Sequence, residues 1–441
     1  MLAACAFSVA CGSSDGTGEA ETPEPEGPSA SDPNVGLEEP DDGFMLRTVG
    51  GEIPPGEERE FCEGQRIPGD SSEEFYVSLI ELGNGARSHH FGLAVAERGS
   101  LAEEELEALG AGNKKLCQGP LLGFGPGIEM LGTTQRPYGQ AAFPGGVARK
   151  FYGGQFVVFN YHFYNPTSEP LQARSAAAFH VIPADEVEHE VQLFSLNNVT
   201  LDIPAGQSVS FTAECHFEVD LMVGGFTRHT HENGRDFTVW FAGGERDGEE
   251  IWTSHDWELD TEFLFEEPTM LRAGEGFRYR CNYENTTSRR IRFGTSFKDE
   301  MCMLYGPAWA PVGREVLDLP DCNIVWIDGD GIGHSAREAG GFPEPTSFEK
   351  NLCRMAYGDE LDECGECQCD SCASVGIKCA SDPDCSALFE CLGACSDIDC
   401  TEACQPVVNE HSSGQGLLTS LWHCAGTKCP DCVPTAATLT E

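Results

Sequence analysis

The sequence predicts an all-β protein: two antiparallel, jelly-roll-like β-sandwich domains followed by a small disulfide-rich, partly helical C-terminal module. Three observations carry that expectation. Short runs of β-branched and aromatic residues recur between Gly, Pro and Asn, at 74–80, 155–163, 209–213, 237–241 and 277–283. Strands so short and so spaced pack as antiparallel sandwiches rather than βαβ units. Helix-friendly order before residue 350 is confined to 101–109, and fourteen of the 22 cysteines fall between Cys353 and Cys432, which sets the last segment apart.

Taken in order, residues 1–11 are apolar and small and resemble the end of a bacterial lipoprotein signal, in which a cysteine is lipidated. Cys5, in Leu2-Ala-Ala-Cys5, fits the lipobox pattern better, while Cys11 directly precedes a polar run. No basic segment stands upstream of either, so the reading favoured is a true start further upstream. Residues 12–44, rich in Glu, Pro, Gly and Ser, bury too little apolar surface to fold and are expected to be a disordered acidic linker.

A first sandwich is expected over 45–188 and a second over 189–345. The acidic stretch 183–190 divides them, and 197–210 restarts a strand, turn, strand pattern. Residues 350–441 form the Cys-rich module. Cys391/Cys395 and Cys400/Cys404 each lie four apart, so two short helices there would present paired thiols and be stapled as a hairpin. Cys364-x-x-Cys367 and Cys369-x-x-Cys372 also have the spacing of a zinc site. In an exported chain disulfides are the favoured reading, with connectivity left open.

With 441 residues, 40% of them hydrophobic, the chain can fill two or three domain cores. A net charge of -46 argues against nucleic acid or an anionic membrane as partner, since both need a basic surface. Twenty-two cysteines are too many for a reducing cytosol unless they bind metal. The chain is therefore expected to be exported, as an outer-membrane or cell-surface lipoprotein or as a periplasmic or secreted protein. No run reaches the roughly 18 apolar residues of a membrane helix, so membrane attachment is expected only through a lipid.

The chemistry is carried by two motifs: His229-Thr-His231, and Met301 in Asp299-Glu-Met-Cys302. On a strand, residues i and i+2 face the same way, so His229 and His231 can grip one ion. A thioether is a soft ligand that favours reduced copper over zinc, magnesium or calcium. The set points to a redox site.

Together with Ser88-His89-His90-Phe91 and Tyr161-His162-Phe-Tyr-Asn-Pro166, these motifs resemble the copper type II, ascorbate-dependent monooxygenases, the family of peptidylglycine α-hydroxylating monooxygenase and dopamine β-monooxygenase. The resemblance covers roughly residues 45–330. It implies two β-sandwich domains facing each other across a solvent-filled cleft, each with one copper ion. His89, His90 and His162 would bind the electron-transfer copper; His229, His231 and Met301 would bind the copper at which O2 and substrate meet and form the catalytic centre. It also implies the disulfides Cys281–Cys302 and Cys215–Cys322, with Cys62–Cys117 bracing the first domain.

The reaction so implied places one oxygen atom of O2 into a C–H bond of an organic substrate, with ascorbate or another one-electron reductant as co-substrate. The alternative on the same fold is a non-catalytic, exported copper-binding or copper-delivery protein. Adjacent histidines on a regular strand point to opposite faces, so for His89 and His90 to share an ion the strand must bulge or end there. Substrate contacts depart from the peptide enzyme: Thr227 and Met303 stand where it keeps an arginine and an asparagine, Arg228 is one residue out of place, and Tyr305 alone matches a substrate-contacting tyrosine. The substrate, small molecule or peptide, stays open, and the Cys-rich tail is read as an accessory module for anchoring or for binding a protein partner.

Overall fold

The computed structural model describes residues 34–116, 127–257, 261–294, 296, 298–317, 319, 322–327, 332–335, 344–357, 363–392 and 403–429. The lipidation candidates Cys5 and Cys11, the linker up to residue 33 and Cys117 lie outside the described residues. The rest is mostly β with a helical, disulfide-rich end, as the sequence predicts.

Residues 43–182 build two main sheets and a small two-stranded one, Gly51–Ile53 with Leu171–Ala173. In one, Gly43–Arg47, Ser175–Ile182 and Glu74–Asn84 lie side by side, and Tyr138–Ala142 and Val147–Tyr152 both pair with Glu74–Asn84. The other has the order Lys114–Leu116, Glu58–Arg66, Phe156–Tyr164, Ser88–Ala96, Ile128–Thr134. Side chains alternate faces along a strand, and this second sheet shows the consequence clearly. Phe91, Leu93, Val95, Val157, Phe159, Tyr161 and Phe163 point into the core between the sheets. Their neighbours His90, Asn160, His162, Glu58 and Glu60 belong to the opposite face.

The single helix among the described residues of this half, Leu101–Leu109, begins where local chemistry dictates. Ser100 caps it by accepting from the Glu103 amide, and the Glu103 carboxylate reaches back to the Gly99 amide, a capping-box exchange that satisfies two otherwise orphaned donors.

The chain crosses over at 183–188, and the strand His189–Asn198 pairs in parallel with Val147–Ala148. A second core follows. One leaf contains His189–Asn198, Met303–Trp309, Leu221–His229 and Glu262–Leu271; the other contains Ser208–His216, Gly276–Glu284, Gly234–Ala242 and Glu250–Ser254. Phe194, Phe217, Phe226 and Phe277 fill the space between them. The disulfides Cys215–Cys322 and Cys281–Cys302 are both formed. Cys62 is also disulfide-bonded.

The C-terminal segment consists of helices Ser347–Tyr357, Glu363–Ser371, Ala373–Ser381, Pro383–Leu392, Gln405–Glu410 and Gln415–Lys428. Disulfides Cys353–Cys369, Cys367–Cys429, Cys372–Cys424, Cys379–Cys385 and Cys391–Cys404 staple them. Cys364 is disulfide-bonded too, so the zinc reading of Cys364, Cys367, Cys369 and Cys372 is overturned: each thiol is already oxidised. Cys391–Cys404 ties helix Pro383–Leu392 to the start of Gln405–Glu410; Cys395 and Cys400, the other half of the expected hairpin, lie outside the described residues. No described helix is long and apolar enough to cross a membrane.

Candidate metal centre

His90 and His162 face each other across neighbouring strands, with His162 opposite His90 in the ladder. The next pair is Phe163 with Ser88, so His89 has no partner and forms a β-bulge. This is the irregularity that two adjacent histidines require if both are to reach one ion. Local sequence supports it: Arg87 takes a left-handed φ of 67°, and the Ser88 hydroxyl donates toward the carbonyls of both His90 and His162 at 3.1 and 3.2 Å. His89, His90 and His162 then bring one ring nitrogen each to within 4.8 Å of one another.

Hydrogen bonds decide which ring nitrogens keep a lone pair. His162 Nε2 lies 2.6 Å from Glu58 Oε1. His90 Nε2 lies 3.0 Å from Asn160 Oδ1 and 3.4 Å from Glu60 Oε1. Each Nε2 therefore carries the proton, which leaves each Nδ1 with a lone pair. The Nδ1 atoms of His89 and His90 are 3.2 Å apart, and His162 Nδ1 is buried with no hydrogen-bond partner. Orphaned buried nitrogens cost free energy unless something binds them, and three converging imidazole lone pairs suit a transition metal.

Glu58 and Glu60 were not singled out from the sequence. Their only signal is a Glu-x-Glu alternation, which does not reveal the histidine strand it faces. Burial pushes Glu60 up, but hydrogen bonding and charge from His90 and His162 outweigh it and hold the carboxyl below its ordinary value. Carboxylates behind metal-bound imidazoles orient the rings and raise their basicity. Glu58→Gln with Glu60→Gln is expected to weaken copper binding at this trio by ~10–100-fold, read by competition with a chromophoric chelator; unchanged affinity would mean the carboxylates only fill space.

The second set is built differently from the expectation. Strand Leu221–His229 ends at His229, so His231 sits in the following turn rather than two places along a strand. The rings still meet, with centroids 5.1 Å apart. His231 is held by the loop that precedes Met301: its Nδ1–H donates to the Asp299 carbonyl at 2.8 Å, leaving Nε2 buried and unpartnered. Glu300, fully buried, accepts from the His231 amide and from the backbone and side-chain nitrogens of Asn233 at 2.8–3.0 Å. Tyr283 Oη donates to the Met301 carbonyl at 2.5 Å.

Burial, with the neighbouring rings, holds His89 and His229 well below the usual imidazole value. Burial takes His231 down to about 3, against a partly compensating hydrogen bond to Asp299. These rings are neutral at physiological pH, the state that ligates metal. Burial also raises Glu300 to about 7.

His90, His229, Met301, Met303 and Tyr305 line one open pocket together with Glu60. Instead of the cleft implied by the resemblance, the two histidine sets touch: His89 and His231 rings are 5.1 Å apart and His90 and His229 6.3 Å. Arg228 is turned away, bonded to Ser254, Thr230 and the Trp257 carbonyl. His180, His216 and His255 each pair with a carboxylate and stand apart from the centre.

The arrangement defines a disulfide-bonded β-sandwich protein with a buried centre of five histidines and a methionine. Residues 192–323 match the family model described as "Copper type II ascorbate-dependent monooxygenase, C-terminal domain". The match contains His229, His231, Met301 and the disulfides Cys215–Cys322 and Cys281–Cys302; His89, His90 and His162 lie before it.

No curated protein matches the chain. Similar solved structures include PNGF-II (8% identity, 66% of this chain and 65% of that one, TM-score 0.23). Others are the VP2 subviral particle protein of infectious bursal disease virus (12%, 67% and 77%, 0.16) and the major capsid protein P2 of bacteriophage PM2 (10%, 61% and 98%, 0.22). At these TM-scores the likenesses carry no argument, and the chain spans under two thirds of PNGF-II.

Proposed function

We propose that the chain is a copper-dependent monooxygenase that hydroxylates a C–H bond of an organic substrate, with ascorbate or another one-electron reductant, and that it holds two copper ions. The observation that carries this reading is the pair of orphaned, buried imidazole nitrogens, His162 Nδ1 and His231 Nε2, the first in a trio whose ring nitrogens lie within 4.8 Å of one another and the second on a ring 5.1 Å from that of His229. His89, His90 and His162 would hold one ion through nitrogen alone; His229, His231 and Met301 would hold the other through nitrogen and a soft thioether. Bound there, copper supplies one-electron redox chemistry for the net reaction RH + O2 + 2 e⁻ + 2 H⁺ → ROH + H2O.

The chain's own residues do the rest. Burial keeps His89, His229 and His231 unprotonated, Glu58, Glu60 and Asn160 fix His162 and His90 by their Nε2–H groups, and the Asp299 carbonyl fixes His231. Cavity walls of Met303, Met130 and Tyr305 keep water from the reacting atoms. The lining presents a carboxylate and no guanidinium, in keeping with a substrate other than a carboxylate-ended peptide. The disulfides support an extracytoplasmic location, and lipid anchoring through Cys5 or Cys11 belongs to the same proposal.

Anaerobic titration with cuprous ion is expected to saturate at two ions per chain, followed by reductant-dependent O2 uptake. A chain that binds no copper would sink the reading, and two ions without O2 uptake would favour copper delivery.

A further inference from the structure

The Cys-rich module was expected to be an accessory. Its helices are instead docked on the second core: Cys372, Val375 and Cys424 are part of that core, and the docking converges on the segment that ends in Met301. Asp382 is split between two tasks, one carboxylate oxygen capping helix Pro383–Leu392 at the Cys385 amide (3.0 Å) and the other gripping Arg292. The Arg292 carbonyl accepts from the Glu300 amide at 2.9 Å.

The turn at 411–414 is fixed by Asp384, which accepts from the Ser413 hydroxyl at 2.7 Å and meets His411 Nδ1 at 2.9 Å. That turn places Ser412 beside the Asp299 carboxylate. Directly after it, Gly416 is pressed against Val199 and Phe293: a Cβ there would fall 2.2 Å from the Val199 carbonyl oxygen. Only a glycine permits so close an approach. Val199 follows Asn198, whose amide donates to the Cys302 carbonyl at 2.9 Å.

We infer that the module is a working part of the Met301 centre: through Ser412, Asp382 and the Gly416 contact it positions loop 298–302, and so sets both the place of Met301 and the tautomer of His231. The inference rests on the copper reading above for what the loop holds, while the clamp itself is independent of metal. The physical reason is that the described residues of this loop between Gly294 and Met303 make no strand ladder beyond one bridge, Phe293 with Glu300. Its geometry must come from what packs on it, and ligand spheres are sensitive to such outer support. Ser412, Asp382 and Gly416 are positioning residues.

The test uses the full chain carrying Ser412→Ala, Gly416→Ala or Ser412→Thr. In metal-free protein, amide exchange over 298–302 is expected to rise at least tenfold in the Ser412→Ala and Gly416→Ala chains, with exchange in Ser88–Ala96 unchanged and Ser412→Thr restoring protection. With copper, the sulfur ligand seen by X-ray absorption should weaken in the same two variants while the His89, His90 and His162 signal persists. Unchanged exchange in both variants, or equal loosening of loop and strand, overturns the clamp. Failure of the wild-type chain to bind copper would overturn the functional reading instead, and the exchange result would still decide the clamp.

Discussion

His162→Ala should leave the protein folded, remove one copper ion of two, and abolish reductant-coupled hydroxylation. The ring is 2% exposed and sits opposite His90 on a central strand, where alanine is tolerated by the ladder and loses one of three converging nitrogens. Loss of outer support alone costs a metal site ~10–100-fold, so loss of a ligand is expected to cost roughly a hundredfold or more in affinity. Metal analysis and electron paramagnetic resonance of the oxidised variant would show a single cupric signal, that of the His229, His231 and Met301 set. Two retained ions, or hydroxylation at the wild-type rate, would contradict the two-centre reading. A delivery protein would lose little function, because the second centre remains.

The second large effect is expected at Glu300, a residue that touches no substrate. Glu300→Ala orphans three donors at once, the His231 and Asn233 amides and the Asn233 side-chain nitrogen, all buried. Each unsatisfied buried donor costs ~1–3 kcal/mol; with partial relaxation and entry of water, a loss of about 3–5 kcal/mol is expected. Denaturant unfolding measures it, and a loss under about 1 kcal/mol would show that the loop relaxes without penalty. Copper at the Met301 centre should be lost together with stability, since His231 and Met301 flank the vacated space. Glu300→Gln should be milder, because one oxygen survives as an acceptor while an amide group now confronts another N–H.

Much of the centre was legible in the residues themselves. Adjacent histidines at 89 and 90 demand a bulge, which is present, whereas His162 among Phe159, Tyr161 and Phe163 reads as a core histidine and stands out as a ligand only through the family resemblance. The helix at 101–109 was legible in its helix-friendly order of Glu and Leu. Other parts depend on which strands meet, and that information is long-range. The Glu58 and Glu60 carboxylates look like ordinary strand acids until the strand pairing lays them beside His162 and His90. Ser412 and Gly416 look like loop residues in a distant module, and nothing local announces a contact with Val199 or Asp299. The contact between the two histidine sets is likewise a property of how the two halves pack.

The bulge at His89 has a consequence for how such a centre can be lost. The sheet stores the first histidine trio partly as a count: one residue more on Ser88–Ala96 than the facing strand requires. Shorten the chain by a single residue just upstream of His89 and Phe163 can pair with His89 in an unbroken ladder, with every core contact of Phe91, Leu93 and Val95 kept. The two rings would then project to opposite faces. A lineage could thus keep its fold, its stability and all its histidines while its chemistry vanished through the deletion of one codon, so that a roll-call of ligand types alone would misjudge which relatives still work.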